Sequence, residues 1–395
     1  MRDDVGQVSI ADLPIASDRE RAWHQLLEAG PVADCAGQLV LANADAVEFA
    51  AKHPELFSSA HAFDRLASPL PLIPIAIDPP DHARYRRLLN PTFAPTALRR
   101  KESELRGQIR ELVDAAAEKE TLDLMLDVAI PFPSQVFLTL FGLPLEDRDR
   151  LLLWKDAILS MTDPANPNPA PAVVEQALEL HAYLQRTVSE RRAAGAAGPD
   201  LLSELIAIRA EGGLTDDEII GLCFLFVLAG LDTVTASIGF AFDFLARSPE
   251  VRAGLVADPA SIPNFVEELL RLHGPVPFSP RVTTGDVEVC GSTVPAGTEV
   301  MLAWLAANRD PDRFDASDSL CPGRTERHFA FGSGPHKCLG SSLARLELRL
   351  VLEEWHRRIP DYELADGAAP QPKWPAGTLV LRELPLVIRP TLGST

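Results

Sequence analysis

Cysteine is scarce in this chain of 395 residues: Cys35, Cys223, Cys290, Cys321 and Cys338 are odd in number, scattered and without paired spacing. That excludes a disulfide framework and fits reduced thiols in a cytoplasm. Positive charge is in deficit, with 37 Lys and Arg against 56 Asp and Glu and a formal net charge of −19. The balance argues against nucleic acid or an anionic membrane as a general partner. Met1 to Ala11 has no apolar run and carries Arg2, Asp3 and Asp4, so neither a signal peptide nor a membrane anchor is expected there.

Long hydrophobic runs are also few. Ile219 to Ala246 is long enough to span a bilayer, but it contains Asp232 and Asp243 and lacks basic flanking clusters. As a helix it would measure about 40 Å, while a compact chain of this size has a radius of gyration of about 21 Å. It is expected to cross the molecule as a buried central helix, over about 215–247. With hydrophobic residues at 46% there is ample material for a core around it.

Against these absences stands one dense stretch, Phe331-Gly332-Ser333-Gly334-Pro335-His336-Lys337-Cys338-Leu339-Gly340. Its glycines and proline dictate a rigid, tightly turning loop, and Ser341 to Arg358 reads as a helix. A cysteine at a helix N-terminus has its thiolate favoured by free N–H groups and by the macrodipole. From these residues alone, Cys338 is open between a small buried apolar residue, a nucleophile, and a thiolate ligand to haem iron.

Helical patterns run over Arg19–Glu28, Asn43–His53, Thr96–Glu118, Leu122–Phe141, Leu145–Met161, Ala172–Ala194, Pro199–Ala210 and Pro263–His273. A strand fits Gly37–Leu41, and Val287–Val300 alternates as a small sheet. The fold class is therefore mainly α with a small β region. His61 to Ile77 is apolar yet irregular, either a core-covering loop or a binding loop; Asp163 to Pro171, with four prolines, is a stiff connection. Asp78-Pro79 starts a helix that carries His82 and Arg86 on one face. Thr215 and Glu218 fit a capping box at the start of the central helix. At its midpoint, Ala229-Gly230-Leu231-Asp232-Thr233 is a poor helix former. The Thr233 hydroxyl can bond back to the i−4 carbonyl and bend the helix, and an acid beside an alcohol there is costly without a function.

Phe331, Gly334, His336, Cys338 and Gly340 together reproduce the haem loop of the cytochrome P-450 superfamily. The chain resembles that family through ordered motifs from Asp78 to Leu386. The resemblance implies one P-450 domain over 1–395, of the soluble bacterial type, holding haem b with Cys338 as axial thiolate. His82, Arg86 and Arg281 are then expected at the haem propionates, joined by His336, with Phe331, Gly340 and Ala229 against the haem. Ala229 and Gly230 would form the oxygen groove. Thr233 would donate a hydrogen bond at the dioxygen site, and Asp232 would relay protons for O–O cleavage. Glu268 and Arg271 match the family's structural Glu-x-x-Arg element, with Arg324, or else Arg327, as the meander arginine that completes it, and Asn308 to Phe314 matches the family's turn before the meander.

The implied activity is insertion of one oxygen atom from O2 into a small hydrophobic molecule. Electrons would come from a ferredoxin and an NAD(P)H-dependent ferredoxin reductase. A peroxide-driven peroxygenase or a haem-thiolate isomerase is the alternative on the same scaffold, and the intact Asp232–Thr233 pair favours oxygen activation. Expected substrate contacts are Leu70, Leu72, Ile73, Leu225, Leu228, Val276, Phe278, Leu379 and Val380, an apolar set. Basic residues at Arg84, Arg87, Arg99, Arg100, Lys101, Lys337, Arg345 and Arg349 are candidates to dock an acidic ferredoxin on the cysteine side. A cytoplasmic monomer is expected. A zinc site built from Cys321, His328, His336 and Cys338 would fit no tight ligand spacing.

Overall fold

The long apolar run folds as two helices in direct succession, Asp216–Gly230 and Asp232–Arg247, parted by Leu231 alone. These features belong to a computed structural model that describes residues 9–63, 72–160, 171–195, 198–210 and 213–389. The N-terminus of the pair carries the expected capping box, Thr215 with Glu218. Beyond the break, hydroxyls lean on the helix: Thr233 Oγ1 donates to the Ala229 carbonyl at 3.3 Å, Thr235 Oγ1 to Leu231 at 2.8 Å and Ser237 Oγ to Thr233 at 2.8 Å. Such back-bonding bends helices. Asp216–Arg247 is long and apolar enough to cross a membrane, but most of its apolar window is buried inside the fold. That is the usual state of a core helix.

Helices pack around this axis. Ser341–Arg358 lies against Glu102–Ala117 and the second half of the central helix. Arg106 with Glu354 (2.7 Å) and Arg349 with Glu102 (2.8 Å) tie the first contact. Pro171–Ala193 packs on Arg148–Ser160 and on the first half of the central helix. The β structure is minor. A five-stranded sheet runs in the order Val32–Cys35, Gln38–Leu41, Glu299–Ala303, Phe278–Thr283, Phe57–Ser58, and a three-stranded sheet joins Thr121–Asp123, Pro385–Ile388 and Tyr362–Leu364.

Two expected helices are divided. Thr96–Glu118 becomes Pro95–Leu98 and Glu102–Ala117, parted at 99–101. Leu122–Phe141 is not helical at its start, because Leu122 pairs with Leu386 and Asp123 with Pro385 in the sheet. Asp123 Oδ1 then accepts from Met125 N (2.9 Å) and Leu384 N (3.0 Å). A wide turn, Met125–Ala129, leads into the helix Pro131–Phe141. Tertiary pairing overrides local propensity here. The connection Asp163–Pro171 lies outside the described residues except for Pro171.

Candidate active site

The loop before Ser341 is built by its own backbone. Cys338 N donates to Phe331 O at 2.8 Å, Gly332 N to Phe329 O at 2.8 Å and Lys337 N to Gly334 O at 3.2 Å. Gly332 and Gly334 take positive φ of 68° and 67°, where L side chains are strained. At Gly334 a Cβ would also overlap the Ala51 carbonyl. The loop therefore lies directly on the end of the helix Ala44–Lys52.

A buried network anchors the loop from behind. Glu268 accepts from Arg271 at 2.8 and 2.9 Å and from Arg324 Nε at 3.1 Å. It is Arg324, not Arg327, that reaches it. Arg271 also donates to the carbonyls of Asn308, Ser317 and Ser319, and both guanidiniums lie over the Phe314 ring, at 5.4 and 5.8 Å. Burial pushes Glu268 up, but these donors outweigh it and hold the carboxyl below its usual range. Asn308 is fully buried, and its Oδ1 accepts from Phe329 N at 2.6 Å, which joins the network to the loop two residues before Phe331.

Cys338 lies deep in the fold, surrounded by protein, yet it carries open surface. The same is true of Ala229 and Gly230, exposed between buried neighbours in the middle of the central helix. Burial raises the Cys338 thiol, while the Gly340 N–H, Arg86, Arg345 and Lys337 pull it down; the net direction is up. The helix-terminus stabilisation expected from sequence is thus outweighed by desolvation, and a coordinated metal is what deprotonates such a thiol outright.

Beside Cys338 the fold gathers nitrogenous side chains. The His82 and His336 rings lie 4.3 Å apart. Arg281 is 5% exposed, and burial lowers it to about 10, with Asp78 pulling the other way. His336 is pushed down to about 3 by burial and then by Arg281, His82 and Arg86, and its Nε2 is buried without a hydrogen-bond partner. Four nitrogenous side chains, His82, Arg86, Arg281 and His336, thus gather beside a cysteine with open surface, a set suited to an anionic group that carries a metal. A haem with two propionates fits that donor set.

On the central helix Asp232 is not alone. Lys155 reaches it from Arg148–Ser160, with 4% of the lysine side chain and 19% of the aspartate side chain exposed, and Lys155 also contacts Asp156 at 2.8 Å. Burial pushes the Asp232 carboxyl up, Lys155 offsets part of this, and the net direction is up. The sequence reading missed Lys155. Its signal was positional, since Leu151, Trp154, Lys155 and Ile158 recur at helical spacing and all four are buried.

Several expected substrate contacts are repositioned. Leu379 has no exposed surface, and Phe278 is packed between Trp23 and Trp374 at 5.9 and 6.2 Å; both belong to the core, because these rings and the bond from Leu379 N to Pro275 O (2.8 Å) enclose them. Leu72, Ile73 and Leu228 are nearly closed off, at 3%, 4% and 7%. Leu225, Val276 and Val380 keep open surface. Leu70 lies outside the described residues. Among the expected docking cations, Arg84 pairs with Glu218 (2.6 Å), Arg349 with Glu102 and Glu353, and Arg345 with Glu267 at 2.6 and 2.8 Å while covering Phe331 at 4.4 Å.

Fold and site together define a thiolate-ligated haem enzyme. The family model for cytochrome P450 matches residues 37–258 and 262–365, and the chain belongs to that family. It is similar to a probable cytochrome P450 127A1 of Sinorhizobium fredii, 36% identical over 80% of this chain and 74% of that protein. It is also similar to the steroid C26-monooxygenase of Mycobacterium tuberculosis, 31% identical over 97% of this chain and 98% of that one. Among solved structures, a mutant of P450 EryK in complex with erythromycin B superimposes with a TM-score of 0.86 at 30% identity, covering 98% of this chain and all of that one. The protein is a P450 monooxygenase that carries haem on a cysteine thiolate.

Proposed function

We propose that the enzyme hydroxylates a small hydrophobic organic molecule, as a cytoplasmic monomer, with electrons from a ferredoxin and its NAD(P)H-dependent reductase. The observation that carries this reading is the break in the central helix, where the open backbone of Ala229 and Gly230 is followed at once by Asp232 and Thr233. A relative named a steroid C26-monooxygenase and a solved structure holding erythromycin B support an organic small molecule as substrate.

Bound haem supplies the dioxygen and oxygen-transfer chemistry. The chain's residues do the rest. Cys338 would ligate the haem iron, Phe331 and Gly340 would hold that loop against the macrocycle, and Arg86 and Arg281 would pair with the propionates, with His82 and His336 as hydrogen-bonding partners. Thr233 Oγ1 presents a hydroxyl at the groove. Asp232, held above its ordinary pKa by burial, brings protons to it, as a general acid does best when its pKa approaches the working pH. Leu225, Val276 and Val380 confine the substrate and exclude water. With Arg84, Arg345 and Arg349 engaged elsewhere, Arg87, Arg99, Arg100 and Lys337 are the exposed cations left for an acidic partner.

In the cofactor-loaded enzyme, Thr233→Ala is expected to divert reducing equivalents to hydrogen peroxide while substrate binding persists. Unchanged coupling of electron use to product would overturn the assignment of Thr233.

A further inference from the structure

Around the break at Leu231, the segment Met125 to Phe141 packs along one face of the central helix, while Lys155 and Phe93 reach it from elsewhere. Phe141 meets Phe226 edge-on at 5.4 Å, and Phe137 stacks on Phe141 at 4.4 Å. One turn along each helix, a Cβ on Gly230 would stand 3.3 Å from Phe137 Cδ2. The two contacts share a spacing of four residues on both helices, so Phe226 and Gly230 are read in register by Phe141 and Phe137. Beyond the break, a Cβ on Gly239 would stand 2.8 Å from Met125 Sδ. The same segment thus touches the central helix on both sides of the interruption.

We propose that Phe137 is a positioning residue for the oxygen groove: its ring, packed on the side-chain-free face of Gly230, holds the helix broken at Leu231 and so sets where the Thr233 hydroxyl points. The inference rests on the role of Thr233 proposed above. Phe137 cannot easily yield, because it is 7% exposed and backed by Phe141, and close-packed interiors resist added volume. Gly230, by contrast, has the ring on one face and open surface on another. A methyl added there must displace the ring or the helix, and with the helix goes the Ala229 carbonyl to which Thr233 is bonded.

The test is a double-mutant cycle in the cofactor-loaded enzyme with Gly230→Ala, Phe137→Leu and both. Two readouts are used: the fraction of reducing equivalents lost as peroxide, and the infrared stretch of carbon monoxide in the reduced complex, which senses the groove without turnover. Gly230→Ala is expected to raise peroxide loss about threefold and to shift the stretch, and the double variant to return most of both, a coupling that contacting residues show and distant ones do not. Additive effects, or a Gly230→Ala variant with unchanged stretch, would overturn the proposal. Should Gly230→Ala fail to fold, Phe137→Leu alone is expected to broaden the stretch, and an unaltered band would count against the idea. Thr233→Ala separates the two claims: if it leaves coupling intact the Thr233 role fails, while the infrared cycle still judges Phe137.

Discussion

Lys155→Met tests how the helix Arg148–Ser160 and the central helix act on one another. The lysine side chain is 4% exposed and the Asp232 side chain 19%, so solvent screens the pair little. Removing one partner of a buried ion pair costs about 3–5 kcal/mol when the other charge must stay. Asp232 has an escape, because burial already raises its carboxyl and without Lys155 it rises further and takes a proton. The low end, about 3 kcal/mol, is therefore expected near neutral pH. For a chain of this size that lowers the unfolding midpoint by about 4 °C. The sign follows from proton linkage. A folded carboxyl pKa above the unfolded value means that the folded state holds the extra proton, so stability is fullest below the unfolded pKa and is lost as pH rises through the folded one. The deficit of Lys155→Met against the parent should then shrink as pH falls, and the acid limb of the pH–rate profile should move to higher pH. Calorimetry across pH, with rate profiles beside it, measures both. Equal midpoints at neutral pH, or a deficit that does not vary with pH, would refute the reasoning.

Three further outcomes are expected. Gly334→Ala forces a left-handed φ, costing about 1–2 kcal/mol, and a clash with the Ala51 carbonyl; the purified protein should retain much less haem, read as the haem-to-protein absorbance ratio. Asn308→Ala leaves the Phe329 N–H buried without its acceptor, a loss of about 1–3 kcal/mol, visible as a lower unfolding midpoint and faster haem release. Glu218 is pushed up by burial but held down to about 2 by Arg84, Tyr85 and Thr215, so its contribution is present above the ordinary carboxylate range and is lost as pH falls toward 2; Glu218→Gln should flatten that part of the acid-unfolding curve.

Much of the architecture was legible because it rests on local rules. The helix after the haem loop, Ser341–Arg358, and the first helix, Arg19–Glu28, have the bounds their periodicity and caps suggest. The capping box at Thr215 and the back-bond from Thr233 to Ala229 follow from residue chemistry alone. What escaped depends on partners distant in sequence. Leu122 reads as helical, yet its strand partner is Leu386. Phe278 and Leu379 read as pocket residues, but Trp23 and Trp374 and the Pro275 carbonyl enclose them. Arg345 reads as a free cation until Glu267 is placed beside it. Asn308, buried between the Arg271 network and Phe329, looks in sequence like any turn asparagine.

The central claim, that Cys338 binds haem iron as a thiolate, is tested most directly by the absorption spectrum of the reduced, carbon-monoxide-bound protein. The account predicts the strongly red-shifted Soret band of thiolate ligation, and its loss in Cys338→His. A band of the imidazole or neutral-thiol type in the unaltered protein, or a colourless preparation after haem supplementation, would contradict it.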